Sequence, residues 1–496
     1  MAKTIFNSSE KSNFILNLTE EKFTKMASAG LLTACFATSV FTMIPEIMRE
    51  IDTSTSVSYG ITAGGLAISG VFCMIVALIS LIRKFFGKQN LFPVCAMGAI
   101  VAFAVISLIF SYDYNVGIYG FNKRGEGLLA IMYYFSFFVT ALSIKREKAL
   151  STLVTGIICS GLLNSVWAVI QIFTGRLTYY STKTIVYLGF KANPAAGLCQ
   201  SPLFFGMMIT LALTAAMTRA MLTKGKKTRI FCIICICLFS FTMLLTYTLI
   251  GIVGVAAGIV LGAAVVFIRK APKVRLSILL TAIIPAVLAV VLVNAGVIGE
   301  TNKYMLHDGH ILWSADSFQR VGASGPNDSR VLDLEKTFSV YSHLNSKTMN
   351  IIKDYPLTGT GPEQLVYPQL YTMGPGMKTY NEVSDIIPNN TGTFDKVYNE
   401  YLYTAATRGI PSLIALIAVL LWVLKNGWKN FRKNGSDDSV CLWFITLAGV
   451  IIFFVGCSNI TFSPVFWAAA GGACAVFSSD KAPAKKSEKS AKSAKK

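Results

Sequence analysis

Apolar residues fall into about a dozen blocks along the 496-residue chain, each near the ~20 residues a helix needs to cross the hydrocarbon core of a bilayer. Only 14% of the residues are charged and 53% are hydrophobic, with a mean hydropathy of +0.57. A water-soluble domain carries about 25% charged residues, and a chain this long in water would need a polar exterior that these blocks do not leave. The pattern specifies an all-α polytopic membrane protein with about 12 transmembrane helices and excludes a soluble multidomain enzyme. Spans are predicted over 27–47, 61–82, 91–111, 127–144, 149–173, 195–218, 230–246, 249–268, 276–298, 402–424, 439–457 and 462–478.

Charge distribution sets the expected orientation. With the N-terminus inside, the inner segments hold 30 of the 45 Lys and Arg residues and the short outer loops hold six. This is the positive-inside asymmetry, and it predicts cytoplasmic N- and C-termini. It also accounts for the net charge of +20 through contact with membrane phospholipid, without nucleic acid. The expected organisation is a cytoplasmic N-terminus (1–26), nine spans (27–298), an extracytoplasmic loop domain (299–396), three spans (397–478) and a Lys-rich tail (479–496) expected to be disordered near anionic headgroups. The first block lacks a small-residue cleavage site before Pro45 and reads as a retained helix. All eleven cysteines lie in or at the ends of apolar blocks, so no disulfide framework is implied. The Cys232, Cys235, Cys237 string reads as packing in an apolar helix, with no metal site expected.

The 299–396 loop contains 8 basic and 11 acidic residues and all three histidines, His307, His310 and His343. A loop of this length is ordinarily functional. From Arg330, apolar residues recur every three or four positions (Leu334, Phe338, Tyr341, Leu344, Met349, Ile352), after the capping run Asn327-Asp328-Ser329 and before Tyr355-Pro356. This predicts an amphipathic helix lying on the outer membrane face or capping the bundle. The PLTGTGPEQL string after it reads as a turn-rich exit.

The central part of every span lacks Asp, Glu, Lys, Arg and His, which counts against ion-coupled transport. The chain has no GxxxxGK[ST] string for a nucleotide, and no cofactor is expected. Polar chemistry is expected at the outer face, where a donor must carry its own leaving group and sit in the membrane; a lipid-linked pyrophosphate meets both needs. The polar residues available there are Lys123, Arg124 and Glu126; Arg176, Lys183, Lys191 and Asn193; Arg320 and Arg330; and Asp395, Lys396, Tyr398, Glu400 and Arg408. The planar fork of Arg suits phosphate oxygens, and an acceptor hydroxyl needs a base within hydrogen-bond reach. Each residue taken singly also fits an interfacial anchor or a snorkelling side chain.

Five stretches in order resemble the bacterial O-antigen ligase and polymerase superfamily. KRGEGLL is similar to its Arg-x-Glu-Gly string, KANPAAGLCQ to Asn-Pro-x-x-x-Gly, and SRVLDLEKTFSV with IIKDYPLTGTGPEQL to an Arg-led helix followed by Asp-x-Pro-Leu-x-Gly-x-Gly. NEYLYTAATRGIPSLIAL resembles the entry to the span after the loop, and TFSPVFWAAAGG the last helix. The resemblance implies a GT-C-type fold in the bacterial cytoplasmic membrane. It also implies transfer or polymerisation of a glycan from an undecaprenyl-pyrophosphate-linked oligosaccharide donor to a glycan acceptor hydroxyl, without metal or nucleotide. On that basis Tyr398, Glu400 and Arg330 are the candidate catalytic residues, and Arg124, Glu126, Lys191, Asn193, Arg320 and Asn399 the candidate substrate contacts. Two departures stand out: Tyr398 occupies the place before Asn399 where the family carries His, and Thr246-Tyr247-Thr248 the turn where an Arg is frequent. Tyr, with a reference pKa near ~10, is a poor base at neutral pH. The base is then Glu400 or a loop histidine, or stabilisation of the leaving pyrophosphate supplies most of the rate. An exporter or flippase of a lipid-linked or amphiphilic molecule, and a noncatalytic scaffold, are the competing readings.

Cysteines introduced at Ser324 and Gly225 test the orientation. An impermeant thiol reagent should label the first from outside intact cells and the second only from inside; outside labelling at Gly225 contradicts the scheme.

Overall fold

A computed structural model describes residues 18–51, 60–121, 124–177, 185–187, 190–192, 194–270, 272–295, 297–298, 334–371, 394–434 and 436–475. The helices are α1 (Glu20–Ile51), α2 (Gly60–Arg83), α3 (Leu91–Ile109), the short α4 (Tyr114–Tyr119), α5 (Leu128–Leu142), α6 (Glu147–Thr174), α7 (Pro202–Leu222), α8 (Lys226–Leu244), α9 (Leu249–Ile268), α10 (Leu280–Asn294), α11 (Leu334–Asp354), the short α12 (Tyr367–Tyr371), α13 (Glu400–Asn434), α14 (Asp437–Ile452) and α15 (Phe462–Ala473). One antiparallel hairpin departs from the all-α expectation: β1 (Ile185–Tyr187) pairs with β2 (Phe190–Ala192) with Val186 opposite Lys191.

Among the described residues nine helices are long and apolar enough to cross a membrane, which makes this a multi-pass membrane protein. One of the nine is α10 continued backwards through the 3-10 helix Lys273–Leu279; the other three expected spans form α5, α14 and α15, of 15, 16 and 12 residues, shorter than the ~20 residues of a full crossing. Helix α7 runs through the middle of the bundle, with every residue buried except Phe204 and Arg219. It packs on α8, α9 and α14. Gly254, Gly258 and Gly262 form one stripe of α9 against Thr210, Leu213 and Met217 of α7, the small-residue contact that lets membrane helices approach closely. The basic end of the bundle is tied by Lys145–Glu20 at 2.7 Å and Arg269–Asp437 at 3.4 Å. The end carrying the 299–396 segment is called the loop end below.

Helix α11 ends at Asp354, ahead of Tyr355-Pro356 as its sequence implies. Its inward face is Tyr341, Leu344, Thr348, Ile351 and Ile352, packed with Leu249, Phe394, Val397 and Ala406, so it caps the bundle over α13. Met349, expected on that face, is 43% exposed. The helical period continues from Leu344 through Thr348, whose hydroxyl donates to Leu344 O at 2.8 Å, so a polar residue occupies the register position and Met349 turns outward. His343 is exposed on α11; His307, His310, Arg320, Arg330, Asn193 and the 479–496 tail lie outside the described residues.

The turn after α11 explains the glycines of PLTGTGPEQL. Helix α13 is broken at Gly409 (φ 82°, ψ 163°) and followed by Pro411, which has no N–H to give. The freed backbone groups find partners in the turn: Thr360 N donates to Ala406 O at 2.9 Å, Gly361 N to Thr407 O at 3.0 Å, and Ile410 N to Pro356 O at 2.8 Å. Gly359 (φ 65°) and Gly409 lie back to back, and a Cβ on either would overlap the other segment's backbone, Thr407–Arg408 and Leu357 respectively.

Gly409→Ala and Gly359→Ala should each cost about 2 kcal/mol or more, from positive-φ strain together with backbone overlap, read as a lower unfolding temperature in detergent. Gly98→Ala, in open space on α3, should not lower it. Equal behaviour of all three variants would contradict the packing described.

Candidate active site

Four segments meet at the loop end: the stretch from α4 to α5, the turn after α11, residues 394–400 before α13, and residues 456–461 between α14 and α15. Each is locked by its own local chemistry. Asp113 caps α4 by accepting from Asn115 N at 2.8 Å and Val116 N at 3.1 Å. Gln364 holds that same stretch, accepting from Tyr112 N at 2.7 Å and Asp113 N at 3.0 Å. Asn399 caps α13, accepting from Tyr401 N at 3.1 Å and Leu402 N at 3.2 Å. Asn459 accepts from Thr461 N and Phe462 N and so starts α15.

These segments bring four carboxylates and three cations together. Lys396, with its side chain 2% exposed, pairs with Glu126, faces Glu363 at 3.6 Å and donates to Ser458 O at 3.0 Å. Arg124 pairs with Asp395. Arg408 pairs with Glu400 at 3.1 Å and donates to Thr404 Oγ1 at 2.7 Å. Glu363 (φ 61°) leaves the glycine turn in a left-handed conformation; its carboxylate accepts from Phe121 N at 3.2 Å and Tyr403 OH at 3.4 Å. Both oxygens of Glu400 are engaged, Oε1 by Arg408 and Thr404 and Oε2 by Ser458 N at 2.7 Å. Among the charged groups of this cluster, two buried atoms have no hydrogen-bond partner: Arg124 Nη1 and Glu126 Oε1. Glu126 lines a cavity of about 40 Å³ together with Glu363, Glu400, Arg408, Tyr134 and Ser458.

Burial raises the Glu363 carboxyl to about 7, against the opposing pull of Arg124, and lowers the Lys396 ammonium to about 8. Burial disfavours the charge on Arg124, but Asp395 and Glu363 outweigh it and hold the guanidinium above its ordinary value. With four acids and three bases, the acid left without a cation of its own is the one whose proton is hardest to remove.

Residues 233–417 match the O-antigen ligase family model. That stretch is similar to the O-antigen ligase family. No curated protein matches it. The O-antigen ligase match runs from α8 to the middle of α13 and includes Glu363, Asp395, Lys396, Glu400 and Arg408, whereas Arg124 and Glu126 come from the segment ahead of α5. The site is thus shared between the matched stretch and the segment between α4 and α5.

Of the residues expected from sequence, Arg124, Glu126 and Glu400 belong to this cluster. Asn399 is turned to capping, and the half-buried Tyr398 packs its ring 6.2 Å from that of Tyr341 on α11. Lys191 lies on β2, and Arg330, Arg320 and Asn193 are outside the described residues. Asp395, Lys396 and Arg408 were legible as outer-face charges but not as partners, because the partners of the first two are 270 or so residues away and that of Arg408 is eight residues back along α13. Glu363 was hidden in a string read only as a turn; an acid directly after Gly-x-Gly-Pro was its one signal.

The raised Glu363 carboxyl gives a pH prediction. Ionising it disfavours the fold, a cost absent below about 4.5 and complete above about 7. Glu363→Gln removes that cost, so its gain in unfolding temperature over the parent should be larger at pH 8 than at pH 5. The opposite order would contradict the burial of this charge.

Proposed function

We propose that the protein is a membrane glycosyltransferase. It transfers or polymerises a glycan from an undecaprenyl-pyrophosphate-linked donor onto an acceptor hydroxyl at the outer face of the cytoplasmic membrane, independently of metal and nucleotide. The observation that carries this reading is a stretch similar to the O-antigen ligase family that meets the segment carrying Arg124 and Glu126 in a cluster of buried charges at the end of the bundle bearing the long loop. A lipid-linked donor can diffuse to such a site within the bilayer while its glycan remains in water.

In this reading Arg124 and Arg330 hold the donor pyrophosphate. Arg124 has a buried Nη1 without a partner, a donor suited to a phosphate oxygen, while Asp395 orients the other side of the fork. Arg330 lies four residues ahead of α11, with Arg320 further along the same segment. Lys191 and Asn193 are assigned contacts to the glycan. Tyr398, held against α11 and followed by the capping Asn399, is assigned to the acceptor side. Glu400, with both oxygens engaged, fits the role of fixing Arg408 and the 458 backbone better than that of a free base. The rate then comes chiefly from fixed cations around the departing pyrophosphate.

Deleting the chain should cause a lipid-linked glycan to accumulate, and Arg124→Lys and Arg330→Lys should be as damaging as the Ala variants, by about tenfold or more in transfer, because Lys cannot fork onto two oxygens. Full activity in the Lys variants contradicts the clamp. Tyr398→His should retain transfer and Tyr398→Phe should lower it; unmodified rates in Phe, His and Ala variants would remove Tyr398 from the site.

A further inference from the structure

Resting on the glycosyl-transfer reading, we infer that Glu126 is the general base, accepting the acceptor hydroxyl's proton on Oε1 while Lys396 holds Oε2. The four carboxylates of the cluster are not equivalent. Asp395 is spent on Arg124. Glu363 accepts from Phe121 N and Tyr403 OH and faces Lys396. Glu400 has both oxygens occupied. Glu126 alone among them combines a 7% exposed side chain, one oxygen held by Lys396, and a second, buried oxygen without a partner.

An unsatisfied buried carboxylate oxygen costs the fold its desolvation penalty, and a catalytic role is one of the reasons a site retains such a group. Glu126 also lines the cavity of about 40 Å³. A site needs roughly 10–15 Å³ of such volume to admit one water, so this space is large enough to receive a water or a hydroxyl group beside Glu126.

The step balances without another reagent. The hydroxyl proton moves to Glu126 Oε1, the hydroxyl oxygen bonds to the anomeric carbon of the donor, and the bond from that carbon to the pyrophosphate oxygen breaks, its electron pair leaving with the lipid pyrophosphate. Protonation of Glu126 does not strand the ammonium, because Lys396 still faces Glu363 at 3.6 Å and Ser458 O at 3.0 Å. The proton then leaves to solvent or to the departing pyrophosphate. Gly125 and Gly127 on either side of Glu126 hold the loop tightly: a Cβ on Gly127 would overlap Ile118 and Gly120 backbone, and Gly125 has φ 64°. The carboxylate is thus fixed in place.

The test uses purified full-length protein in liposomes with a lipid-linked glycan donor. Glu126→Gln should keep its unfolding temperature within a few degrees of the parent and lose about 100-fold or more in kcat, with the donor KM little changed. Glu126→Ala should regain transfer on addition of sodium formate, a carboxylate small enough for the vacated space, with saturating dependence on formate. Retention of more than half the parent kcat by Glu126→Gln overturns the assignment. So does recovery of activity in Glu126→Gln/Lys396→Met, which would make Glu126 only the partner of Lys396. If Glu126→Ala fails to fold, Glu126→Asp, which keeps the charge, should fold and lose about tenfold or more in kcat; parental kcat there also overturns it. Absence of transfer by the parent protein would instead remove the glycosyl-transfer reading itself.

Discussion

Inside a bilayer a helix that breaks must find new partners for the backbone groups it frees, and the break at Gly409 of α13 is where this protein meets that demand. The carbonyls of Ala406 and Thr407 and the amide of Ile410 are matched by the turn at 356–361, and Ser107 of α3 donates to Thr407 O as well, at 2.7 Å. That match brings Gly359 against the Thr407–Arg408 backbone and Gly409 against the Leu357–Thr358 backbone, approaches that a Cβ would block. From it the rest follows in order. The turn ends at Glu363, Glu363 faces Lys396, and Lys396 reaches Glu126 in a loop some 270 residues earlier in the chain.

Charged groups held this deeply are costly, because desolvation offsets most of their attraction, and replacing such pairs by apolar residues is often neutral or stabilising. The cluster is therefore poorly explained as a device for stability alone. Of its seven ionisable groups, two carry a buried atom without a partner, Arg124 Nη1 and Glu126 Oε1. The stretch similar to the O-antigen ligase family contributes the larger share of it, and the segment between α4 and α5 contributes the two charged residues with unsatisfied atoms.

The bundle was legible because bilayer thickness imposes a period of about 20 apolar residues on the chain, and α11 because its 3.6-residue period survives outside the membrane. Met349 was misplaced on that helix because hydrophobicity alone assigned it inward, when Thr348 could enter the interior by bonding to Leu344 O. Arg124, Glu126 and Glu400 were recoverable as charges in otherwise apolar or glycine-rich contexts. Their pairings were not, since nothing local in KRGEGLL indicates Asp395 or Lys396. Glu363 was missed for a related reason: its importance lies in a backbone match between two distant glycines, which a turn signal does not report. The hairpin at 185–192 interrupts an otherwise helical chain in a stretch whose composition reads equally well as a loop.

The central claim is that this chain makes a glycosidic bond at the loop end without help from a nucleotide or a metal ion. Reconstituting the purified protein in liposomes with a radiolabelled lipid-linked oligosaccharide, an unlabelled glycan acceptor and a chelator, with no nucleotide, tests it most directly. The account predicts label in an enlarged glycan, with one lipid pyrophosphate released per glycan transferred. Movement of the intact donor between leaflets with no new bond formed would contradict it.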